Sequence, residues 1–396
     1  MKTFKLTLLV CILWIINSCT PDKIVIDPST FQNEEILTWK SNDGLRNFLP
    51  ADFIATYDPG ELEKIEIVLR DEKPLEQRRT EVHLAAGTTN QLAGAIASAD
   101  PSTVIVLDAG DHFETGTVLI NKSVIIEGYG ANLIFSNVPG ITDATQLVWN
   151  IKSGIHINEG GSYTSIRGVT FKGSDLVPAV AVFLDHSKGV KITYNIFENW
   201  QFGISGYNAV YSIIKKNIIH ANPGWATGAI PESDGIILSD GTHNHLIENE
   251  INNGLSGIFT GGFMGVDFGN KTNNCGIGQI LCKVPAGFNI INGVEINTQA
   301  STSNWRVMFN TSSNSALFGF LVIDGANKCI LDHNKASNNG LYDIEVAGDS
   351  NRFGFFTPRA YNNRVHAYGN LKVKNCGENT HIIGGTLVDN TVDPCF

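Results

Sequence analysis

Residues 192–197 read ITYNIF: an apolar residue, two variable positions, an asparagine, a variable position and an apolar residue. The same phrase returns as IKKNII at 214–219 and as LIENEI at 246–251. Weaker copies centre on Asn292, Asn310 and Asn334. Successive asparagines of this series are 22, 32, 43, 18 and 24 residues apart, so the chain repeats a unit of about 18–24 residues, with insertions in two of the units.

A second phrase, Gly-Ile, stands 14 residues before two of these asparagines, at 203–204 and 235–236. Repeats of this length are typical of solenoids, in which each unit is one turn of short parallel strands with apolar side chains alternating inward. An asparagine suits the bend between two strands, because its amide can hydrogen-bond the backbone of its own coil and of the next. Stacked asparagines also explain the composition, since 29 of the 39 asparagines lie after residue 190.

Upstream of the repeat, residues 92–112 read LAGAIASADPSTVIVLDAGDH. This stretch predicts a short helix over 91–99 and a strand over 104–107. Together with the asparagine repeat, it resembles the capping helix and coils of the pectate-lyase-like superfamily. The resemblance implies an all-β fold, a right-handed parallel β-helix solenoid with an N-terminal capping helix and loop insertions, over residues 81–396.

The first residues predict targeting rather than structure. Two lysines precede an apolar run at 6–16, which has about half the roughly 20 residues that a membrane-spanning helix needs. The run ends in Asn-Ser-Cys19, which resembles the bacterial lipoprotein signal. We therefore expect a signal peptide over 1–18, lipid on Cys19, an anchor linker and N-terminal extension over 19–80, and a place in the bacterial cell envelope, on the periplasmic or surface face of the outer membrane.

The charge balance restricts the partners. The chain has 28 Lys and Arg against 39 Asp and Glu, a formal net charge of −11, and no stretch rich in lysine or arginine. Nucleic acid is excluded as a partner, because phosphate binding needs a positive face. We expect a monomer, held to the membrane by its lipid, whose partner is a polysaccharide substrate or a glycan ligand.

Five cysteines remain after Cys19, so at least one thiol is free. Cys275 and Cys282 bracket a glycine-rich turn, and an oxidising compartment allows a disulfide between them. A disulfide between Cys376 and Cys395 is the less favoured alternative.

Two insertions are the places where a pocket is expected, because regular coils make none and long loops on a rigid scaffold carry function. They lie at about 222–233 and 261–284, in adjacent coils, and we expect them to wall one groove. Trp225, Trp200 and Phe263 offer flat surfaces on which sugar rings could stack, and packing within the loops is the alternative use of these rings.

Acidic residues are densest at 232–240, which read ESDGIILSD. Asp234 directly precedes a Gly-Ile strand start, and Asp240 follows the strand, in the turn ahead of His243. In the lyases and hydrolases that this sequence resembles, acidic residues at coil edges bind Ca²⁺ or act as acid and base. Glu232, Asp234 and Asp240 are therefore the candidate site acids, and His243 is a candidate to contact substrate.

A polar row is expected beside Asp240. Relative to the repeated asparagine, Asp240 has the same offset as His186 and Asn208, and Asp185 lies one place earlier. If the coils stack in register, these side chains follow one edge of a sheet.

Elimination on a uronic acid is one possible chemistry. It needs a cation to offset the substrate carboxylate and a base to remove the adjacent proton. Ca²⁺ would take the three acids of the cluster, and the base would be Lys215, Lys216 or Arg306.

Hydrolysis is the other, and it needs two carboxyl groups. Asp234 with Asp240 or Glu232 would form the pair, and His220 or His243 could orient the water. The chain carries no catalytic signature of a particular lyase or hydrolase family. A β-helix lipoprotein that binds glycan or protein without catalysis is therefore the alternative to an enzyme that cleaves an acidic polysaccharide.

Overall fold

The structure is a computed structural model. It describes residues 80–140, 153–173, 179–230, 232–282, 290–291, 294–295, 302–349, 359–391 and 395. The predicted signal peptide, the lipid anchor at Cys19, the extension up to residue 79 and Asn292 all lie outside the described residues. Within the described ranges, no helix is both long and apolar enough to span a membrane.

The described chain winds through three parallel sheets, which we call A, B and C, and each regular coil contributes one strand to each sheet in that order. Sheet A contains β1 (Glu81–Leu84), β2 (Val104–Leu107), β5 (Ile125–Glu127), β8 (Ser165–Arg167), β11 (Lys191–Thr193), β14 (Ile213–Lys215), β17 (His245–Ile247), β20 (Val266–Phe268), β25 (Arg306–Met308), β28 (Ile330–Asp332), β31 (Arg364–His366) and β33 (His381–Ile383).

Sheets B and C are built in the same way. Sheet B contains β3 (Gly110–Glu114), β6 (Ala131–Phe135), β9 (Thr170–Lys172), β12 (Ile196–Trp200), β15 (Ile218–Ala221), β18 (Glu250–Asn252), β21 (Lys271–Asn273), β26 (Thr311–Ser313) and β29 (Lys335–Ser337). Sheet C contains β4 (Val118–Ile120), β7 (Ser153–Ile157), β10 (Val180–Asp185), β13 (Phe202–Tyr207), β16 (Asp234–Ser239), β19 (Ser256–Thr260), β22 (Ile277–Leu281), β27 (Phe318–Val322), β30 (Tyr342–Val346) and β32 (Val373–Asn375).

Two helices and one small hairpin complete the described elements. Helix α1 (Gln91–Ser98) buries Leu92 and Ile96 in the core and agrees with the predicted helix. The side chain of Glu114, on β3, caps its N-terminus, since the Leu92 amide donates to a carboxylate oxygen of Glu114 at 2.8 Å. Helix α2 (Gly224–Thr227) lies in the first predicted insertion. A 3-10 turn spans Glu159–Gly161, and β23 (Ile290–Ile291) pairs antiparallel with β24 (Val294–Glu295).

The core consists of inward apolar side chains that stack in register from coil to coil. In sheet C, Ile204, Ile236 and Ile258 are direct neighbours and are all fully buried. Each such side chain contributes roughly 1.5–3 kcal/mol of transfer free energy when it is buried. Gly235, in the Gly-Ile phrase, must be glycine because a Cβ atom there would overlap Ile251 and the backbone of the next coil. The structure thus confirms the predicted all-β solenoid.

The asparagine of the repeat lies at the A–B corner, the bend between sheets A and B. Asn195 donates through its backbone and side-chain nitrogens to Oδ1 of Asn217, at 3.0 and 3.1 Å, and Asn217 does the same to Asn249, at 3.0 and 2.9 Å. Each side-chain amide also donates to the backbone of the preceding coil. This asparagine ladder continues through Asn270, Asn310 and Asn334.

The predicted insertion at 261–284 is wrong. Residues 266–281 form a regular coil of β20, β21 and β22, and Asn270 is its ladder asparagine. Because Asn270 bonds directly to Asn310, these two asparagines belong to neighbouring coils. The sequence signal was missed because Lys271 and Thr272 follow this asparagine where the stronger copies place an isoleucine or phenylalanine within two residues.

The predicted disulfide is also wrong. Cys275 and Cys282 are free, buried thiols, whereas Cys376 and Cys395 are bonded, with Cα atoms 5.5 Å apart. The physical reason is β22: Cys275 precedes this extended strand and Cys282 follows it, so their Cα atoms are roughly 20 Å apart at about 3.3 Å per residue. A disulfide requires about 4.4–6.8 Å.

One inward position of sheet A is acidic. Asp267 stands in register between Leu246 and Val307 of the core and is 1% exposed. Its Oδ1 accepts a hydrogen bond from the side-chain amide of Asn270 at 2.5 Å. Burial raises the pKa of Asp267 to about 7, and the hydrogen bond opposes that rise only in part. A carboxyl group is therefore held in the apolar interior next to the ladder.

We predict that Asn217→Ala lowers the free energy of unfolding by about 3 kcal/mol or more, because it leaves buried groups of two coils unpaired at about 1–3 kcal/mol each. Asn132→Ala is the matched control, since this outer side chain makes one exposed hydrogen bond, to Asp111. Urea unfolding followed by circular dichroism measures both. Equal losses in the two variants would contradict a structural role for the ladder.

We also predict that Asp267→Asn stabilises the protein in a pH-dependent way. The folded-state pKa is raised, so the contribution of Asp267 to stability is present below about pH 4 and is lost as the pH rises toward 7. An amide never ionises, so the variant avoids the cost of a buried charge and gains about 4 kcal/mol at pH 8 and little at pH 4. Thermal melts across this range measure the gain. Asp349→Asn, on an exposed carboxylate that binds Arg359, should give none at pH 8.

Candidate functional site

The structure distributes the predicted site residues around the coil. Asp234 begins β16 at the B–C corner, the bend between sheets B and C, and Asp240 follows β16 at the C–A corner. Six residues of extended strand separate them by roughly 20 Å. This exceeds the carboxyl separations of about 5–9.5 Å in glycoside hydrolases, and it prevents Asp240 from sharing one Ca²⁺ with Asp234.

The predicted bases lie elsewhere. Lys215 is the last residue of β14 and is buried, and Lys216 follows it at the A–B corner. Lys216 pairs with Glu248, with Nζ 3.7 Å from Oε2, and its Nζ lies 5.4 Å from the centroid of the Tyr194 ring. A lysine engaged at this corner does not reach the acids of sheet C.

The two remaining basic candidates lie on sheets A and B. Arg306 begins β25 of sheet A. His220 lies in β15 of sheet B, where burial lowers its pKa and the charges of Glu198 and Glu250 oppose that shift. Arg306 therefore lies on another sheet, whereas His220 is the penultimate residue of β15, the strand that leads into the B–C corner.

The predicted aromatic contacts separate into core and surface. Trp200 is 1% exposed, its Nε1 donates to the carbonyl of Phe171 at 3.2 Å, and its ring packs edge-on against Phe135. The prediction that Trp200 stacks on sugar is therefore wrong, because the inward turn of β12 at its end places the ring in the core. Phe263 is 38% exposed at the C–A corner.

His243 and Trp225 are also at corners. The ring of His243 stacks on Tyr211, with centroids 4.8 Å apart. Trp225 lies on α2, and its Nε1 donates to the carbonyl of Asn253 at 2.8 Å. Its ring lies directly over Gly276, where an added Cβ would be 3.0 Å from Cη2. The first insertion thus folds over the B–C corner and places a partly exposed indole there.

Glu232 and Asp234 meet at this corner through a hydrogen bond between their side chains. Asp234 is 1% exposed, and its Oδ1 also accepts a hydrogen bond from the backbone amide of Ser256 at 2.5 Å. Glu232 is partly exposed. The pair therefore has one buried member, fixed by the next coil, and one member that reaches the surface.

The pKa values of both carboxyl groups are raised well above their ordinary range. Burial is the main cause for each, and the charge of Asp234 adds to the shift of Glu232. The Ser256 amide opposes the shift of Asp234. Two carboxyl groups in contact cannot both ionise at low cost, so the pair retains one proton at neutral pH.

An apolar cluster covers part of the outer face of sheet C, on β10, β13 and β16. Phe183, Phe202 and Ile237 point outward from successive strands and are nevertheless buried. With no second insertion at 261–284, the predicted groove between two loops is not formed by the described residues.

The C–A corner carries the predicted polar row. Asp185 Oδ1 accepts from His186 Nδ1 at 2.6 Å, and Asn208 Nδ2 lies 3.1 Å from His186 Nε2. His156, one coil earlier, adds a contact from Nε2 to Asp185 Oδ2 at 3.1 Å. Sequence reasoning missed His156 because its coil carries no copy of the asparagine phrase, although β7 is in register with β10.

No group of three or more His, Cys, Asp or Glu side chains is arranged to hold a metal ion in the parts of the chain that the structure describes. Ca²⁺ takes six to eight oxygen ligands. Of the three predicted ligands, only Glu232 and Asp234 come together, so the described residues do not fit the ion.

A sequence profile described as a right handed beta helix region matches residues 153–365. No curated protein matches the chain in sequence. Among solved structures, the polygalacturonase of Erwinia carotovora subsp. carotovora is similar, with 12% identity, a TM-score of 0.47, and coverage of 81% of this chain and 98% of that one.

Two larger proteins are also similar. The catalytic domain of a GH87 α-1,3-glucanase, in complex with nigerose, has 13% identity, a TM-score of 0.44 and coverage of 80% of this chain. The Dettilon tailspike protein has 14% identity, a TM-score of 0.37 and coverage of 72% of this chain. This chain spans 57% of the length of each. At these identities the likeness is one of fold.

Proposed function

The chain belongs to the right-handed β-helix family, and from that premise we propose that it is a carbohydrate-active enzyme that cleaves a glycan by general acid catalysis at the B–C corner. The observation that carries the proposal is the Glu232–Asp234 pair, two hydrogen-bonded carboxyl groups at a corner where burial raises the pKa of both. A carboxyl group that stays protonated is what a general acid for a glycosidic oxygen requires.

The two members take different roles in this proposal. Glu232 reaches the surface and donates the proton to the leaving oxygen as the glycosidic C–O bond breaks. Asp234 is fixed by the Ser256 amide and holds Glu232 in place. Water adds its hydroxyl to the anomeric carbon, and its proton returns to the pair. Because the two carboxyl groups are in contact, closer than an acid and nucleophile at about 5–5.5 Å, they act as one acid.

Hydrolysis is favoured over elimination by the position of the basic residues. Elimination needs a base beside the substrate carboxylate. Lys216 is paired with Glu248 at the A–B corner, and Arg306 begins a strand of sheet A. In this proposal the carboxyl pair accounts for the type of reaction but does not identify the sugar. The acidic polysaccharide that the sequence predicts is therefore tested beside uncharged ones.

We predict that Glu232→Gln and Asp234→Asn each reduce kcat by about 10²–10⁴-fold, the usual contribution of a general acid. Wild-type kcat should fall as the pH rises above neutral, because the pair then loses its proton. Glu198→Gln, a partly exposed acid of sheet B, is the control and should leave kcat unchanged.

The measurement is the release of reducing ends from a panel of uronic-acid and uncharged polysaccharides, together with the ultraviolet absorbance of an unsaturated product. Reducing ends without that absorbance support hydrolysis. Absorbance would instead establish elimination, and a folded wild type that is silent on the whole panel would leave only binding.

We further propose that lipid on Cys19 anchors the protein to the bacterial envelope. The support is the Asn-Ser-Cys19 end of the apolar run. Cys19→Ala should move the protein from the membrane fraction to the soluble fraction in a bacterial host, because the acyl chains supply the membrane affinity. Cys11→Ser, within the apolar run, is the matched control and should stay with the membrane. Retention of Cys19→Ala in the membrane fraction would contradict the anchor.

A further inference from the structure

A second accessible cluster lies at the C–A corner, at the opposite edge of sheet C from the carboxyl pair. It consists of His156, Asp185, His186, Tyr207 and Asn208, and we call it the C–A cluster. Its members come from three successive strands of sheet C, and Asp185 and Tyr207 are direct neighbours in register. The side chains of His186, Asp185 and His156 are 54%, 32% and 29% exposed, so a ligand can reach all three.

The hydrogen bonds fix the roles of the ring nitrogens. Asn208 Nδ2 donates to His186 Nε2 at 3.1 Å, so His186 Nδ1 carries the hydrogen that it donates to Asp185. His156 donates from Nε2 to the other oxygen of Asp185. Its Nδ1 is then an acceptor, and it has no hydrogen-bond partner among the described residues.

The cluster also holds an aromatic ring with a polar tip. Tyr207 packs edge-on against His186, with centroids 5.1 Å apart, and its hydroxyl bonds to Asn208. Burial, followed by the charge of Asp240, raises the pKa of this hydroxyl, and Asp185 adds to the rise. Tyr207 therefore stays a neutral hydroxyl donor beside two carboxylates.

The charges restrict the ligand. Asp185 and Asp240 face the same ring, and the cluster has no lysine or arginine of its own. The neighbouring cation, Lys188, lies over the ring of Tyr211, with Nζ 5.8 Å from the centroid. Two carboxylates without a cation repel an anionic ligand such as a uronate. Both nitrogens of His186 are engaged in hydrogen bonds, which leaves this histidine no lone pair for a metal ion.

We propose that the C–A cluster is a binding subsite for an uncharged sugar residue, recognised through its hydroxyl groups. A sugar hydroxyl both donates and accepts, and the cluster offers acceptors at His156 Nδ1 and Asp185, together with the hydroxyl of Tyr207. A few convergent polar groups beside an aromatic ring are the usual composition of such a site. The inference rests on the proposed function for the class of ligand, and it places the subsite roughly 20 Å from the carboxyl pair.

The experiment is affinity electrophoresis of the folded chain through gels that contain either uncharged β-glucan, xylan or mannan, or polygalacturonate or alginate. Asp185→Asn and His186→Ala are compared with wild type. Asp185→Asn is nearly isosteric, so this variant still tests the subsite if His186→Ala does not fold. His83→Ala is the matched control, since His83 makes a similar exposed contact with Asp108, at 3.3 Å, far from the cluster.

We expect an uncharged polysaccharide to retard wild type and His83→Ala, and to bind the two cluster variants at least about 10-fold more weakly, as the loss of a hydrogen bond to a charged group implies. Retardation by uronate gels alone, equal retardation of all variants, or no retardation of wild type would overturn the subsite.

Glu232→Gln separates the two proposals. Cluster-dependent retardation without any turnover leaves the subsite standing and removes the proposed enzyme. Turnover that depends on Glu232, with retardation that Asp185→Asn and His186→Ala leave unchanged, supports the proposed enzyme and overturns the subsite.

Discussion

The hydrogen bond from one asparagine to the next is the interaction on which this structure depends. Each ladder amide joins three coils, because it accepts from and donates to the coil before it and donates to the asparagine of the coil after it, as Asn217 does with Asn195, Ile192 and Asn249. Register between coils is therefore fixed at one buried point per turn. The apolar columns of the three sheets then stack without further specification, because a strand held at one end places its alternating side chains in only one way.

Fixed register is also what creates the two polar edges of sheet C. An apolar cluster of Phe183, Phe202 and Ile237 covers part of the outer face of this sheet, and the two groups of polar residues described above lie on either side of it. Glu232 and Asp234 meet because the first insertion returns the chain to the start of β16, where the next coil supplies the Ser256 amide. At the opposite edge, successive coils place single polar residues above one another. Burial raises the pKa of Glu232 and Asp234 at the B–C corner, whereas the side chains of His156, Asp185 and His186 at the other edge are at least partly exposed.

The sequence predicted the solenoid and its polar row because both depend on spacing along the chain. It failed where position depends on how a corner closes. Asn270 was missed because no apolar phrase follows it, although its backbone fills the same place as the others. Trp200 was predicted to lie at the surface, and this prediction failed because the end of β12 turns its ring inward. The sequence placed Asp234 before a strand and Asp240 after it, and the six residues of that strand hold the two carboxyl groups too far apart to act as a pair.

One backbone feature of the C–A corner affects how such a protein can change over evolutionary time. His186, Asn208 and Asp240 occupy the same left-handed position in three successive coils, with φ of 52°, 50° and 53°. The main chain is thus the same whether the residue is a histidine, a neutral amide or an acid. Substitutions at this position can change the charge of the corner without disturbing the neighbouring strands, so its surface chemistry can drift while the scaffold stays under separate selection.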